Sequence, residues 1–227
     1  MSADGRPTSD LTARARIRDA AIDCFAEVGF DSSYRAIAAR AGVSPGLITH
    51  HFRSKAGLRA ECDAEVLRLY FAQKVDAVGD PTNYFGEWLA APGITSTLLV
   101  YMLRAIHAGG EPARGFLESV IERTRGIMLD AVASGLVRPS RDDEARLRYL
   151  AYQSMGAMLV QFLLVPDLTP DEFVASLRAD QQDVNLPILE IYTEGLLTSR
   201  DMLDTYVNLV RDPPDGPTRT ESDGSTA

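Results

Sequence analysis

The chain has 227 residues, 45% of them apolar and 7% aromatic, and a net charge of −9. That is enough apolar mass to bury a core in one large domain or two small ones. The longest apolar run, Met155–Val165, is too short to span a bilayer and is broken by Gln161, and the polar "MSADGRPTSDL" start is no secretory signal. The chain therefore reads as soluble and cytoplasmic.

Charge is unevenly placed. Residues 1–60 carry nine Arg/Lys against six acids, a balance of +3, leaving 14 bases against 26 acids, or −12, for the rest. A mildly basic head on an acidic body lets phosphates approach one end only. Alanine and leucine recur throughout, which favours helices over strands, since their side chains lose little rotamer freedom in a helix. Cys24 and Cys62 have no CxxC spacing and read as two small buried apolar residues rather than a disulfide.

In chain order, residues 1–10 and the tail 212–227 lack apolar periodicity, and both read as disordered. The first helix carries Ile17, Ala20, Ala21, Cys24, Phe25 and Val28 on one face and ends at Gly29. Arg14, Arg18 and Asp19 lie opposite, either as a solvated surface or as phosphate contacts. Ser32 or Ser33 caps a short second helix whose Tyr34, Ile37, Ala38 and Ala41 face one way. Gly42 closes it. Ser44 and Pro45 then open a third helix, "PGLITHHF", with Ile48 and Phe52 facing inward. Two short helices joined at a glycine, with small Ala38 and Ala41 at the corner, form a helix-turn-helix.

Ser54 caps a long fourth helix, and breaks at 79–83, 91–93, 109–112 and 135–143 divide the remainder into further helices. Between Asp142 and Leu164, one stripe runs through Leu147, Leu150, Ala151, Met155, Met158 and Phe162. Tyr152, Leu159, Val160 and Leu163 extend the apolar surface around the same helix. A helix predicted to begin near Pro187 is similarly apolar, with Ile188, Leu189, Ile191, Tyr192, Leu196 and Leu197. Helices apolar on two sides need two partners. Burial within one bundle or pairing in a homodimer both satisfy that.

From about residue 12 to residue 59 the sequence resembles the DNA-binding head of the TetR family of bacterial transcriptional regulators. The family pattern F-x-x-x-G-[FY], I-A-x-x-A-G-V-S, x-G-x-[LI] and S-K-x-x-L appears in order, within "FAEVGF", "SSYRAIAARAGVS", "PGLITHHF" and "SKAGL". The resemblance implies an all-α protein: an arm at 1–10, a three-helix DNA-binding domain at 11–56, a larger regulatory and dimerisation domain at 57–211, and the tail. It further implies a homodimeric repressor that leaves a palindromic double-stranded operator when a small-molecule effector binds. A regulator without an inducer, acting as an activator or answering to a protein partner, is the alternative.

On this resemblance the short third helix enters the major groove by its N-terminal part. Ser44, Pro45, Leu47, Thr49 and His50 meet the DNA there, with Thr49 where the family usually has tyrosine. Gly46 either lets the backbone approach closely or is simply a glycine at a helix start. Ser33 and Arg35 reach phosphates, as does Lys55 unless it is merely a solvated cation, and His51 packs beside Phe52 or joins them. Candidate lining for an effector pocket is Trp88, Tyr101, Met102, His107, Phe116, Met128, Tyr149 and Gln153. His107 has a helix C-terminal cap as its other role. Tyr152, Leu159, Val160, Leu163, Ile188, Ile191 and Tyr192 are the candidate dimer contacts.

A helical enzyme or metal protein is the competing class. Adjacent His50 and His51 diverge by about 100° on a helix and do not readily share one ion. No HExxH or spaced carboxylate accompanies them, so neither a catalytic residue, a metal nor a cofactor is expected.

Overall fold

The computed structural model describes residues 8–75, 96–179 and 181–211. Trp88 and the tail from 212 lie outside the described residues. Every regular element among them is an α-helix: α1 (Thr8–Glu27), α2 (Tyr34–Ala41), α3 (Pro45–Phe52), α4 (Lys55–Val75), α5 (Ser96–His107), α6 (Gly110–Ala133), α7 (Asp143–Leu164), α8 (Pro170–Ala179), α9 (Gln181–Thr193) and α10 (Asp201–Arg211). They form two compact units, the first through Ala179 and the second from Asp180. No described helix is long and apolar enough to cross a membrane.

The inward faces read from periodicity meet in one core. Ile17, Ala21 and Phe25 of α1 pack with Ile37 and Ala38 of α2, Ile48 and Phe52 of α3, and Leu58, Cys62 and Val66 of α4. The same core continues through Tyr101, Met102 and Ala105 of α5 to Phe116 and Val120 of α6, so head and body share their apolar interior. Both cysteines are buried and free. Each fully buried Ile or Phe contributes about 1.5–3 kcal/mol of transfer free energy. Helix α5 is buried on opposite sides, because Leu99, Val100 and Leu103 face a second cluster with Phe162 of α7 and Phe173 of α8.

Three sequence expectations shift. Val28 does not join the apolar face: α1 stops at Glu27, and Val28 is 71% exposed in the turn that follows. Helix α1 begins at Thr8, within the stretch read as an arm. Helix α9 begins at Gln181, six residues before Pro187, which lies inside it. A proline there forgoes one backbone hydrogen bond without ending the helix. Leu196 and Leu197 fall beyond that helix and are exposed.

The two-sided character of α7 is visible directly. Asp142 caps it by accepting from the Ala145 amide at 2.9 Å, and Leu147, Met155 and Phe162 face inward. Tyr152, Val160 and Leu163 are exposed, while Leu159 packs half-buried against the second cluster.

Candidate DNA interface

The turn between α2 and α3 is built by backbone chemistry. Ser33 caps α2, its Oγ accepting from the Ala36 amide at 3.1 Å. The alternative cap, Ser32, is buried instead and donates its hydroxyl to the carbonyls of Cys24 and Gly29. Gly42 adopts the left-handed conformation at φ 64°, and the Val43 amide returns to the Ala38 carbonyl at 3.0 Å, a Schellman closure that a β-carbon would strain. Ser44 then occupies the cap position of α3 with extended backbone, although its hydroxyl makes no cap hydrogen bond.

This closure turns α3 so that Ile48 and Phe52 are buried and Pro45, Gly46, Thr49 and His50 are exposed. Those four positions recur at one-turn spacing and form a single outward stripe. Leu47 and His51 are half-buried, with Leu47 leaning on the core. The His50 and His51 rings meet edge to face at 5.4 Å, and no group of three metal-ligating side chains occurs among the described residues. A β-carbon on Gly46 would meet nothing within 4 Å, so packing does not require glycine there.

Partners divide the cations of the head into two classes. Arg14 donates to both carboxylate oxygens of Glu61, at 3.3 and 2.8 Å, and to the His51 carbonyl at 3.2 Å, with its guanidinium over the Phe52 ring. Arg16 donates to the carbonyls of Ala41 and Gly42, Arg18 pairs with Asp19 and Glu65, and Arg40 grips Glu27 with two bonds of 2.8 and 2.6 Å. These hydrogen bonds hold the carboxyls of Glu27 and Glu61 below the ordinary glutamate range. The arginines of α1 thus brace α2, α3 and α4 by bonds within the protein. Arg35, Arg53 and Lys55 are exposed and carry no ion pair among the described residues, and they flank α3 on either side in sequence.

Arg53 is the residue sequence reasoning missed. It sits at φ 63°, ψ −44°, the only non-glycine with positive φ among the described residues, and the Ser54 amide bonds the Phe52 carbonyl at 2.7 Å across it. This is a γ-turn of the rare, strained kind. It redirects the chain into α4, whose start is secured by the Gly57 amide donating to Ser54 Oγ at 3.0 Å. Gly57 is required by close approach: a β-carbon there would lie 2.4 Å from the Phe52 carbonyl oxygen. Residue type gives no sign of such a turn, because arginine has no preference for it.

Among the described residues, the predicted pocket positions do not gather into one lining. Tyr101, Met102 and Phe116 are buried in the shared core, where the Tyr101 hydroxyl donates to Asp63 at 2.6 Å. His107 is exposed at the end of α5, Met128 is half-buried, and Tyr149 and Gln153 are exposed. A groove of about 750 Å³ lies instead between α4 and α6, reached by Arg148 of α7. Of the predicted residues that are described, only Phe116 lines it, together with Ala60, Ala64, Leu67, Arg59 and Asp63. Burial pushes the Asp63 carboxyl upward, opposed by the Tyr101 hydrogen bond and the Arg59 charge. Two arginines at this groove are already matched, Arg148 to Glu118 at 2.6 and 2.8 Å and Arg125 to Glu144 at 3.0 and 3.1 Å.

In the second unit, Ile191 and Tyr192 are exposed and Ile188 is half-buried. Helix α10 also exposes Met202, Leu203, Tyr206, Leu209 and Val210. Its spacing is legible in the sequence, but the candidate contacts named from sequence stop short of it.

Comparison with known proteins agrees with this geometry. Residues 17–62 match the family described as bacterial regulatory proteins, tetR family, and residues 95–198 match the tetracyclin repressor-like C-terminal domain. The HTH-type transcriptional regulatory protein RaaS of Mycobacterium tuberculosis is 39% identical over 202 residues, covering 88% of this chain and 94% of that protein. Two solved structures share the fold at a TM-score of 0.53: a putative fatty acid metabolism regulator of Clostridium perfringens, 15% identical, and FadR of Bacillus subtilis in complex with stearoyl-CoA, 18% identical. Each alignment spans 81% of this chain, and 100% and 99% of the respective neighbour. A helix-turn-helix closed in this way, continuous at 39% identity with a transcriptional regulator across 88% of the chain, makes this protein a member of the TetR family of DNA-binding transcriptional regulators, not an enzyme.

Proposed function

We propose that the protein is a homodimeric repressor that holds a near-palindromic operator through α3 and leaves it when a small molecule binds the body. The observation that carries the DNA contacts is the division of cations: α1 uses its arginines for bracing bonds within the protein, while Arg35, Arg53 and Lys55, which flank α3 in sequence, are exposed and form no ion pair among the described residues. In this reading Pro45, Gly46, Thr49, His50 and the outer part of Leu47 face the major groove. Ser33, Arg35, Ser44, Arg53 and Lys55 take phosphates, aided by the amides at the starts of α2 and α4. His51, half-buried, supports the helix through its own carbonyl's bond from Arg14.

The exposed apolar stripe of α7, with Tyr152, Val160 and Leu163, supports pairing with a second copy, as do the exposed residues of α9 and α10. Two copies call for half-sites spaced by whole helical turns, roughly 34–36 Å or a multiple of it. For the effector, the groove between α4 and α6 is the supported location, because α4 begins directly after α3 and its first turns line that groove. The bound stearoyl-CoA in the Bacillus neighbour is consistent with a body of this fold accepting a small molecule. Release demands that the effector bind the DNA-free form more tightly than the DNA-bound form.

The test is a gel shift against the chain's own upstream region across a salt series. Each phosphate contact contributes a slope of about −0.9 in log K against log salt. Binding that ignores salt, or that fails to discriminate the upstream duplex from random DNA, refutes the reading.

A further inference from the structure

The carboxyl end of α1 is finished by a side chain from the body. The last four carbonyls of a helix lack intrahelical partners. In α1 the amides of Val28 and Gly29 take the carbonyls of Cys24 and Phe25, each at 3.0 Å. The remaining two are taken by Arg104 of α5, which donates from Nε to the Ala26 carbonyl at 2.7 Å and from Nη2 to the Glu27 carbonyl at 2.9 Å. A cation there also meets the negative end of the α1 dipole. The opposite contact of the same guanidinium is the Phe162 ring of α7, 5.3 Å from its centroid. Phe162 in turn meets Phe173 of α8 edge to face at 5.4 Å.

One guanidinium therefore joins the head's first helix to the aromatic cluster of the body. We propose that Arg104 is a positioning residue for DNA binding: it fixes the end of α1, and through Phe162 makes the set of the head depend on the position of α7. The turn that buries Phe162 also presents Leu163 outward, so a displacement of the exposed face of α7 reaches Arg104 within one residue. Arg104 touches no proposed DNA contact. Its effect runs through the fraction of molecules whose head is held in the binding orientation, and apparent affinity scales with that fraction.

The experiment compares Arg104→Met, Arg104→Lys, Phe162→Leu and a core control, Val120→Ala, in the full chain. Operator affinity is read by fluorescence anisotropy on the duplex from the chain's own upstream region, over a salt series. Amide hydrogen exchange is read in parallel over residues 24–33. Arg104→Met is expected to weaken affinity about tenfold with an unchanged salt slope, since no phosphate contact is lost. It should also speed exchange at 24–33. Arg104→Lys, which keeps the charge and a donor, recovers most of both. Phe162→Leu gives an intermediate loss, and Val120→Ala keeps affinity despite its lost core volume.

Equal affinity losses in Arg104→Met and Val120→Ala at matched folded fraction overturn the proposal. So does a salt slope that falls by about one charge, which marks a direct phosphate contact. The inference uses the proposed operator reading, but the two fail separately. If the wild-type chain ignores the duplex, that reading falls, and unchanged exchange at 24–33 in Arg104→Met still overturns the positioning role.

Discussion

Substituting Gly46→Ala should move stability and DNA affinity in opposite directions. A β-carbon at Gly46 meets no atom within 4 Å and the residue has ordinary helical backbone, so alanine costs nothing in packing. Restricting the unfolded chain then stabilises the fold by about 0.4–1 kcal/mol, or roughly 1–4 °C in Tm for a chain of this size. The added methyl projects on the stripe that faces the groove, where overpacking against a base edge costs about 1–3 kcal/mol, a loss of about five-fold or more in operator affinity. Gly57→Ala is the counterpart. Its β-carbon would lie 2.4 Å from the Phe52 carbonyl oxygen, where ordinary contact begins at 3.4 Å, so that atom must move about 1 Å. Because the clash is with backbone, the strain falls toward the upper part of about 1–3 kcal/mol, above the helical gain of about 1 kcal/mol, and Tm should fall. Thermal melts by circular dichroism and anisotropy titrations read both variants. Wild-type affinity in Gly46→Ala would make Gly46 an ordinary helix-start residue, and a lowered Tm would refute the open space assigned to it.

Other expectations follow from the same geometry. Lys55→Gln should leave Tm unchanged and reduce the salt slope by about 0.9, measured on the same duplex. Arg53→Gly relieves a positive φ that holds about 1–3 kcal/mol of strain in a non-glycine, so Tm should hold or rise while operator affinity falls. Glu61 has its carboxyl held low by the Arg14 hydrogen bond, so its contribution is complete above the unfolded value of 4.5 and is lost as pH falls through the folded one. Both partners are about one-third exposed, and Glu61→Gln should therefore cost about 1 kcal/mol or less at pH 7, with the gap to wild type closing in melts below pH 4.5. Val160→Asp places a charge on the exposed face of α7, 58% exposed in the single chain, and light scattering should show it shifting a dimer toward monomer without loss of helix.

Much of the head was legible because its signals are local. Ser33 specifies a helix boundary through its side-chain hydroxyl and Gly42 and Pro45 through their backbone, and Ile37, Ile48 and Phe52 declare inward faces by spacing. The same locality explains the errors. Val28 continues a periodic face in sequence, but periodicity does not say where the helix stops. Pro187 marks a boundary in most helices and here lies inside one. The pocket is the least legible part, since residue type singles out Tyr101, Met102, Tyr149 and Gln153, and type does not report which residues share a cavity.

What the sequence determined by itself is the helical class, the order of the DNA-binding motif and the contrast between a basic head and an acidic body. These depend on neighbours within a few residues or on composition. Only the tertiary structure decided what each arginine does. Arg14, Arg16 and Arg104 look alike in sequence to Arg35 and Arg53, yet the first three spend their donors on carbonyls and carboxylates 25 to 78 residues away. A guanidinium reaches far and bonds in several directions, so its role is fixed by what folding brings within reach.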